Sequence, residues 1–283
     1  MPVQTVRTTA EMQQRSEALR MSGKRIALVP TMGFLHEGHL SLMREAKARA
    51  DVVVVSIFVN PTQFGPKEDL SRYPRDLEGD LSKCESVGVD VVFAPADPKE
   101  MYPDGYQTWV EVTDVSKGLC GEKRPGHFRG VATVVAKLFN IVRPYLALFG
   151  EKDYQQLQVI KALARDLNFG IEIVGMPTVR DPDGLAMSSR NAYLSPSERE
   201  RALALSRGLR TAHHLARNGV REVRELVQAV RKELEAAQVR EDYVEVVDAE
   251  TLRSLTTIEP GRPARVLVAG FLGTTRLIDN LAL

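Results

Sequence analysis

The sequence is poor in cysteine and contains no long apolar run. Cys84 and Cys120 are the only two cysteines among 283 residues. Two cysteines are too few for a disulfide framework, and their separation does not match the ligand spacing of a zinc site. No apolar run approaches the roughly 20 residues that a transmembrane helix needs. The sequence therefore argues against a disulfide-stabilised scaffold and against a helical membrane protein.

An excess of charge of either sign is also absent. Lys and Arg number 38 against 37 for Asp and Glu, which gives a formal net charge of +1. Proteins that bind nucleic acid through their overall charge carry a clear basic excess, so we expect no nucleic-acid partner. Residues 1–7 lack the apolar core of a signal peptide, and with so little cysteine we expect a reducing, cytoplasmic location.

Short apolar runs alternate with longer segments of helical periodicity in the first two thirds of the chain. The predicted strands are residues 26–30, 52–59, 89–94, 145–149 and 171–175. The predicted helices are residues 39–50, 76–87, 131–142 and 154–168. Most of the apolar runs are continuous, as in strands that are covered on both faces. The pattern predicts an α/β fold with a doubly wound parallel sheet, in which ligands bind at the carboxyl ends of the strands.

The pattern changes after about residue 177. Ser195 and Pro196 have the signature of a helix start, with the serine as cap and the proline at the first helical position. The helices predicted beyond this point are residues 198–217 and 220–237, and the predicted strands are residues 243–247, 265–269 and 275–279. We therefore predict two domains, residues 1–178 with the parallel sheet and residues 179–283 as a smaller α+β domain.

A glycine-containing turn with two histidines follows the first predicted strand. His36 and His39 lie three residues apart, at or just before the start of a predicted helix. Exposed backbone N–H groups and the positive end of the helix dipole favour an anion at such a junction. Gly33 and Gly38 allow a ligand to approach the backbone closely. An imidazole at this point can donate to a phosphoryl oxygen and stabilise charge that develops at phosphorus.

Two other interpretations of this turn remain open. The helix motif of zinc proteases has two histidines four residues apart with a glutamate between them, whereas the spacing here is three, which disfavours a metal site. The second alternative is that the turn is a solvated loop whose histidines have no function. Two of the five histidines in the chain, together with two glycines, stand at this one strand-to-helix turn, which argues against that interpretation.

Further polar groups follow later predicted strands. Lys152 comes after the strand at residues 145–149, where an ammonium group can neutralise phosphate. Asp153 is placed to cap the next helix, and Gln156 is expected to face the same crevice one turn later. Residues 188–190, Ser-Ser-Arg, supply donors suited to a polyphosphate. Each group alone also fits an ordinary solvated turn, and their common position at one edge of the sheet favours a nucleotide site.

Carboxamides follow the predicted strand at residues 52–59. Asn60 and Gln63 can both donate to and accept from a hydroxy acid, although a plain turn has the same composition. Two basic loops lie downstream, at residues 70–76 and 123–129. Solvated faces commonly carry such charges, and a carboxylate substrate would give Arg124 a role.

Five blocks of the sequence, in this order, resemble the pantothenate synthetases, the AMP-forming pantoate–β-alanine ligase family. The blocks are residues 30–39 (PTMGFLHEGH), 58–64 (FVNPTQF), 73–75 (YPR), 149–157 (FGEKDYQQL) and 187–191 (MSSRN). A lone HxGH also occurs in many nucleotidyltransferases and class I aminoacyl-tRNA synthetases, whereas all five blocks together are specific. The resemblance spans nearly the whole chain and implies a Rossmann-like fold of the HxGH nucleotidyltransferase type.

The resemblance also implies a two-step reaction. The carboxylate of (R)-pantoate attacks the α-phosphorus of ATP, which gives pantoyl adenylate and pyrophosphate, and the amine of β-alanine then displaces AMP to form pantothenate. No covalent enzyme nucleophile is required, so positioning and charge stabilisation would carry catalysis. Mg²⁺ would be bound mainly by the ATP phosphates. The family further implies a cytoplasmic homodimer, in which residues 110–112 are candidates for pairing between subunits.

The resemblance assigns roles to individual residues. His39, His36 and Lys152 are expected to be catalytic, with His39 as the proton donor. The residues expected to bind ATP are Met32, Gly33, His36, Gly38, His39, Gly150, Glu151, Lys152, Asp153, Val179, Met187, Ser188, Ser189 and Arg190. The residues expected around pantoate and β-alanine are Gln63, Gln156, Asn60, Tyr73 and Arg124. Asp80 is a candidate protein contact to Mg²⁺, and residues 179–283 are expected to cover the active site.

Three alternative functions share parts of this pattern. A nucleotidyltransferase of the same fold would stop after nucleotide transfer and form no amide, although Gln63 and Gln156 favour a polar acid that is consumed. A class I aminoacyl-tRNA synthetase would carry a tRNA-binding domain or a basic surface, and neither is evident in the sequence. A non-catalytic module would bind ATP without turnover.

Overall fold

The computed structural model describes residues 3–66 and 68–283, and the chain forms two compact units. The first unit contains the residues up to Glu151 together with Gln156–Pro177, and the second contains Lys152–Gln155 and Thr178–Leu283. In the described parts of the chain, no helix combines the length and the apolar character needed to span a bilayer.

The first unit has a parallel sheet with helices on both sides. Its strands are β1 (Gln4–Val6), β2 (Ile26–Thr31), β3 (Val52–Ile57), β4 (Val91–Phe93), β5 (Leu146–Gly150) and β6 (Glu172–Met176). Its helices are α1 (Thr9–Met21), α2 (Glu37–Arg49), α3 (Leu77–Ser86), α4 (Leu119–Lys123), α5 (His127–Val142) and α6 (Tyr154–Asp166), the last beginning with two residues of the second unit.

The strand order in this sheet is β1-β4-β3-β2-β5-β6, and every neighbouring pair is parallel. Val53, Val54 and Val55 in β3 are fully buried, because helices cover both faces of the sheet. The chain proceeds from β2 to β3 and β4 on one side, and then adds β5 and β6 on the other side of β2. This reversal creates a crevice at the carboxyl ends of β2 and β5, where ligands of such sheets bind. The predicted doubly wound sheet is confirmed.

Two elements at the N-terminus were not predicted from the sequence. β1 has only three residues and pairs with β4 at the edge of the sheet, so it carries too short an apolar run to be recognised. Only Met12 and Ser16 are buried along α1, which therefore has almost no apolar stripe. Burial, and with it the sequence signal, is concentrated in the centre of the sheet.

The second unit is the smaller α+β arrangement that the sequence predicts. Its strands are β7 (Arg240–Asp248), β8 (Ala264–Leu272) and β9 (Thr275–Ala282), which form an antiparallel sheet in the order β7-β8-β9. Its helices are α7 (Pro196–Arg217) and α8 (Val223–Ala236). Ser195 and Glu198 form a capping box at the start of α7, which confirms the helix start predicted from Ser195 and Pro196. Leu209, Val230 and Val268 are fully buried in the core between the helices and the sheet.

Candidate active site

The two-histidine turn joins β2 to α2, with His36 as the N-cap of α2 and His39 in its first turn. His36 Nδ1 accepts the backbone N–H of Gly38 at 3.2 Å, and His39 Nδ1 accepts the backbone N–H of His36 at 3.3 Å. Because each Nδ1 is an acceptor, a neutral imidazole at either position carries its proton on Nε2. The hydrogen bonds thus orient both rings so that Nε2–H is the donor suited to a phosphoryl oxygen.

A buried carboxylate of α3 holds the residues that precede these histidines. Asp80 accepts the backbone N–H groups of Phe34 and Leu35, each at 2.7 Å, and is 1% exposed. Gly33 and Phe34 both have a left-handed backbone, with φ of 83° and 51°. A Cβ on Gly33 would lie 2.9 Å from Asp80 Oδ2, so glycine is required for the close approach. Burial raises the pKa of Asp80, and the two N–H donors act in the opposite direction.

Asp80 was predicted as a contact to Mg²⁺, and its surroundings give it a different task. Each of its carboxylate oxygens accepts a backbone N–H of the turn. Across residues 3–66 and 68–283, no group of three or more His, Cys, Asp or Glu side chains is placed to hold a metal ion. Asp80 therefore fixes the backbone of the turn, and its contact with Mg²⁺ stays a prediction.

The amide of Asn60 organises the turn that follows β3. Asn60 is 1% exposed, and its Nδ2 donates to Gln63 Oε1 at 3.1 Å and to the Gly130 carbonyl at 3.2 Å. Its Oδ1 accepts the hydroxyls of Thr62 and Tyr102 at 2.9 Å and 3.0 Å. The side chain of Asn60 is thus used to orient Gln63, and direct contact with a substrate stays a prediction.

Gln63 connects this turn with the two-histidine turn. Its Nε2 lies 3.1 Å from Met32 Sδ, and the residue is 8% exposed. The N-terminal end of α5 lies directly against the same turn, because a Cβ on Gly130 would be 2.4 Å from the Thr62 carbonyl oxygen. The structure therefore brings together Met32, from the predicted ATP-binding group, and Gln63, from the predicted acid-binding group.

Arg124, a predicted contact for the substrate carboxylate, is paired within the chain. Its Nε and Nη2 donate to the two carboxylate oxygens of Glu68 at 2.6 Å and 2.9 Å. Its Nη1 lies 2.9 Å from His127 Nε2, and His127 Nδ1 lies 2.9 Å from the Gln63 carbonyl oxygen. Burial opposes ionisation of Glu68, but the hydrogen bonds and charge of Arg124 outweigh it and lower the pKa of Glu68 to about 2.

This arrangement assigns the tautomer of His127. Arginine can only donate, so His127 Nε2 is the acceptor and Nδ1–H donates to the carbonyl of Gln63. Both Arg124 and His127 therefore hold the backbone of Gln63. Neither His127 nor Glu68 is predicted from the sequence as a site residue. The sequence signal that could have identified His127 is its place directly after Pro-Gly in a basic loop. No sequence signal indicates that Glu68 pairs with Arg124.

Of the remaining predicted residues of the first unit, Tyr73 lies in the loop before α3, and the others lie at a strand end or near a helix start. Tyr73 is 6% exposed and packs edge-on against Phe64, with ring centroids 6.0 Å apart. Gly150 ends β5, which lies beside β2 in the sheet, and Glu151 follows it. Gln156 is the third residue of α6 and is partly buried.

In the second unit, the structure places two of the predicted phosphate ligands together. Lys152 and Ser188 line the same small cavity, of about 10 Å³. The backbone N–H of Met187 donates to the Val179 carbonyl at 3.0 Å, which holds the segment just before Ser188. Ser188 in turn caps the short 3₁₀ helix Ser189–Tyr193 by accepting the backbone N–H of Arg190. Lys152 Nζ lies 3.8 Å from Asp153 Oδ2, a pair that leaves the ammonium partly exposed.

Comparison with known proteins identifies the family. The family model for Pantoate-beta-alanine ligase matches residues 4–282. The chain belongs to the pantoate–β-alanine ligase family. This confirms the resemblance inferred from the five sequence blocks.

Relatives of this ligase family match over almost the full length of the chain. The pantothenate synthetase of Myxococcus xanthus is 70% identical over 278 residues, which cover 98% of this chain and 95% of that protein. The pantothenate synthetase of Anaeromyxobacter dehalogenans is 62% identical over 277 residues, with 96% and 95% covered.

Solved structures of the ligase family have the same fold. The pantothenate synthetase of Thermus thermophilus matches with a TM-score of 0.92 and 48% identity over 99% of both chains. A pantoate–β-alanine ligase from Francisella tularensis, complexed with β-γ ATP and β-alanine, matches with a TM-score of 0.80 and 34% identity, covering 99% of this chain and 97% of that one.

Proposed function

We propose that this chain condenses (R)-pantoate with β-alanine to give pantothenate, with conversion of ATP to AMP and pyrophosphate through a pantoyl adenylate. The observation that carries the proposal is the contact between Met32 and Gln63. It joins a strand-to-helix turn suited to phosphate with a buried carboxamide suited to a hydroxy acid. Membership of the pantoate–β-alanine ligase family over residues 4–282 supports the same conclusion.

In the first step, a carboxylate oxygen of pantoate attacks the α-phosphorus of ATP, and the bond to the departing pyrophosphate breaks. His36 and His39 donate through Nε2–H to the phosphoryl oxygens as negative charge develops, with His39 as the proton donor. Gln63 and Gln156 hold the hydroxyls and carboxylate of pantoate. Gly33, Gly38 and Gly150 allow the nucleotide to approach the backbone.

In the second step, the amine of β-alanine attacks the carbonyl carbon of the adenylate. AMP departs with the electron pair of the broken acyl–oxygen bond, and the amine loses a proton to give the amide. A free carboxylate resists this attack, whereas an acyl phosphate has a good leaving group. Gln63 also contacts β-alanine, and Tyr73 lines the pocket for the acid and the amine.

The remaining proposed ATP contacts are residues of the second unit, together with Glu151, which directly precedes Lys152. Lys152 neutralises phosphate charge as a point cation. Arg190 supplies a planar fork of donors, and the hydroxyls of Ser188 and Ser189 donate beside it. The other proposed contacts are Glu151, Asp153, Val179 and Met187. Mg²⁺ is proposed to be bound by the ATP phosphates, where it would neutralise charge, and the residues described here gather no cluster that fits it.

The test of the proposal is an assay of AMP, pyrophosphate and amide in which each substrate is omitted in turn. We expect pyrophosphate with ATP and pantoate, and AMP with amide only when β-alanine is also present. Nucleotide transfer without amide formation would replace the ligase with a nucleotidyltransferase.

The variant His39→Asn separates catalysis from simple nucleotide binding. The asparagine Oδ1 can still accept the backbone N–H of His36, so the start of α2 is kept while the Nε2–H donor is removed. We expect pantoate-dependent pyrophosphate release to fall about 100- to 1,000-fold with little change in the melting temperature. Unchanged turnover would remove His39 from the catalytic group.

We further propose a cytoplasmic homodimer in which residues 110–112 lie at the subunit contact. Trp109, the preceding residue, is a large apolar side chain that is 39% exposed, and its ring stacks on Tyr102. An exposed aromatic side chain is suited to a protein interface. A monomer mass by light scattering at micromolar concentration would overturn this assignment.

A further inference from the structure

Two neighbouring residues of β9 each hold one of the segments proposed to bind ATP in the second unit. Asp279 and Asn280 are both 3% exposed. Successive side chains of a strand point to opposite faces, so the pair can hold two different segments. Asp279 accepts two N–H groups of Arg180, at 2.7 Å and 2.9 Å. Asn280 Nδ2 donates to the backbone carbonyl of Lys152 at 2.9 Å.

The Asp279 contact fixes the segment that leads to Ser188. Arg180 forms an isolated antiparallel bridge with Ala186, which closes a small loop. Its Nη1 also donates to the Gly184 carbonyl at 3.1 Å, inside the same loop. Asp279 therefore anchors the loop through Arg180, and the loop ends two residues before Ser188, which lines the same small cavity as Lys152.

The Asn280 contact fixes the segment that contains Lys152. Asn280 Oδ1 accepts from Arg265 Nη1 of the neighbouring strand, which leaves Nδ2 directed at the Lys152 carbonyl. The guanidinium of Arg265 also lies 3.8 Å from the ring centroid of Tyr154, and the Tyr154 hydroxyl donates to the Ala249 carbonyl at 2.8 Å. Residues 152–155 are thus held at two points by the antiparallel sheet and at a third by Ala249, the residue directly after β7.

A buried carboxylate and a buried amide next to each other are costly to desolvate unless both are fully hydrogen-bonded. The presence of this buried pair is explained if the two side chains fix a geometry. We propose that Asp279 and Asn280 are positioning residues, which set the distance between Lys152 and Ser188 that the polyphosphate of ATP requires. This inference rests on the proposed function, because it takes Lys152 and residues 188–190 as phosphate ligands.

Two variants and one control test the pair. Asn280→Asp keeps the side-chain shape and the acceptor for Arg265 but cannot donate to the Lys152 carbonyl. Asp279→Asn weakens the paired contact with Arg180. Asp242→Asn is the matched control, because the Asp242–Arg276 pair, at 2.8 Å, lies in the same sheet and includes a residue of β9.

The readouts are the KM for ATP, the KM for pantoate, and the affinity for a non-hydrolysable ATP analogue measured by calorimetry. For both test variants we expect the KM for ATP and the analogue Kd to rise about tenfold or more, since misplacement by about 1 Å can cost about 100-fold in rate. The KM for pantoate should stay within about twofold of the parent. Asp242→Asn should lower the melting temperature without changing the KM for ATP.

An unchanged analogue Kd in both folded test variants would overturn the inference, and so would an equal rise in Asp242→Asn. The calorimetric readout needs no turnover, which separates this inference from the proposed function. If the parent protein forms no amide while Asn280→Asp still weakens analogue binding, the ligase proposal is refuted and this inference stands. If one test variant fails to fold, the other still decides the outcome, because each breaks a different contact.

Discussion

Two turns leave the neighbouring strands β2 and β3, and the first unit holds them with groups of opposite charge. The turn after β2 offers backbone N–H groups at Phe34 and Leu35, and the carboxylate of Asp80 accepts both. The turn after β3 offers the carbonyl of Gln63 instead, and His127 and the Arg124 guanidinium donate to it, at 2.9 Å and 3.4 Å. The sign of the charged side chain therefore matches the backbone group that it holds: a carboxylate accepts from N–H groups, and a guanidinium donates to a carbonyl.

In both turns the charged side chain is already paired with other groups of the protein. The charge of Asp80 faces two N–H dipoles, so a carboxylate is tolerated close to a proposed phosphate site. The charge of Arg124 faces Glu68, so the guanidinium is balanced before any substrate carboxylate arrives. A charged residue near a site is therefore not automatically a ligand. In these two turns the proposed ligands are His36, His39 and Gln63. Asp80 holds the backbone just before the two histidines, and Arg124 holds the backbone of Gln63.

The largest effect is expected from Asp80→Asn, which breaks the first turn. An asparagine side chain offers one oxygen, so either Phe34 or Leu35 loses its acceptor and faces an NH₂ group. An unsatisfied buried N–H costs about 1–3 kcal/mol, and the displaced turn should lower pantoate-dependent pyrophosphate release on the order of 100-fold. Pyrophosphate release and the melting temperature are measured together.

Asp76→Ala is the control for this variant. Asp76 caps the same helix, α3, by accepting the backbone N–H of Gly79 at 3.0 Å, and its loss should cost about 1 kcal/mol. A similar loss of stability with nearly full activity is the expected result for the control. If Asp80→Asn lowers activity no more than Asp76→Ala does, Asp80 is only a structural residue of the helix.

A smaller effect is expected from the second turn, where two replacements of His127 separate its two hydrogen bonds. Asparagine places an amide N–H near the position of Nδ1 and can still donate to the Gln63 carbonyl. Glutamine places its amide near Nε2 and faces Arg124 instead. We expect His127→Asn to keep activity within a few-fold, and His127→Gln to raise the KM for pantoate about tenfold with the KM for ATP unchanged.

Equal kinetics for the two His127 variants would show that the bond to Gln63 does not position the substrate. A parallel rise in the KM for ATP would also contradict the comparison, because it would mean that both turns had moved. The melting temperatures of the two variants serve as the control for general loss of packing.

Local patterns in the sequence predicted the parts of the molecule that are themselves local. The continuous apolar run of β3 records burial on both faces, and strand, glycine and helix start follow one another within the ten residues around His36. The groups that hold the site have no such pattern. Asp80 lies 46 positions from Phe34, and Arg124 lies 56 positions from Glu68. These pairs exist only because the sheet brings distant segments together, so sequence spacing could not identify them.

The smallest effect is expected from Glu68→Gln, which removes the charge that balances Arg124. The pKa of Glu68 is lowered from 4.5 to about 2 in the folded protein, so its contribution to stability is present above pH 4.5 and is lost as the pH falls toward 2. We expect the variant to be about 1–2 kcal/mol less stable at pH 7, and the difference to shrink below pH 4.5. Urea unfolding at pH 7, 5 and 3 measures this difference in stability. Glu172→Gln is the control, because the pair of Glu172 with Arg49 is more exposed and should contribute less than about 1 kcal/mol. A stability difference that stays constant from pH 7 to pH 3 would mean that Glu68 holds Arg124 by its shape and not by its charge.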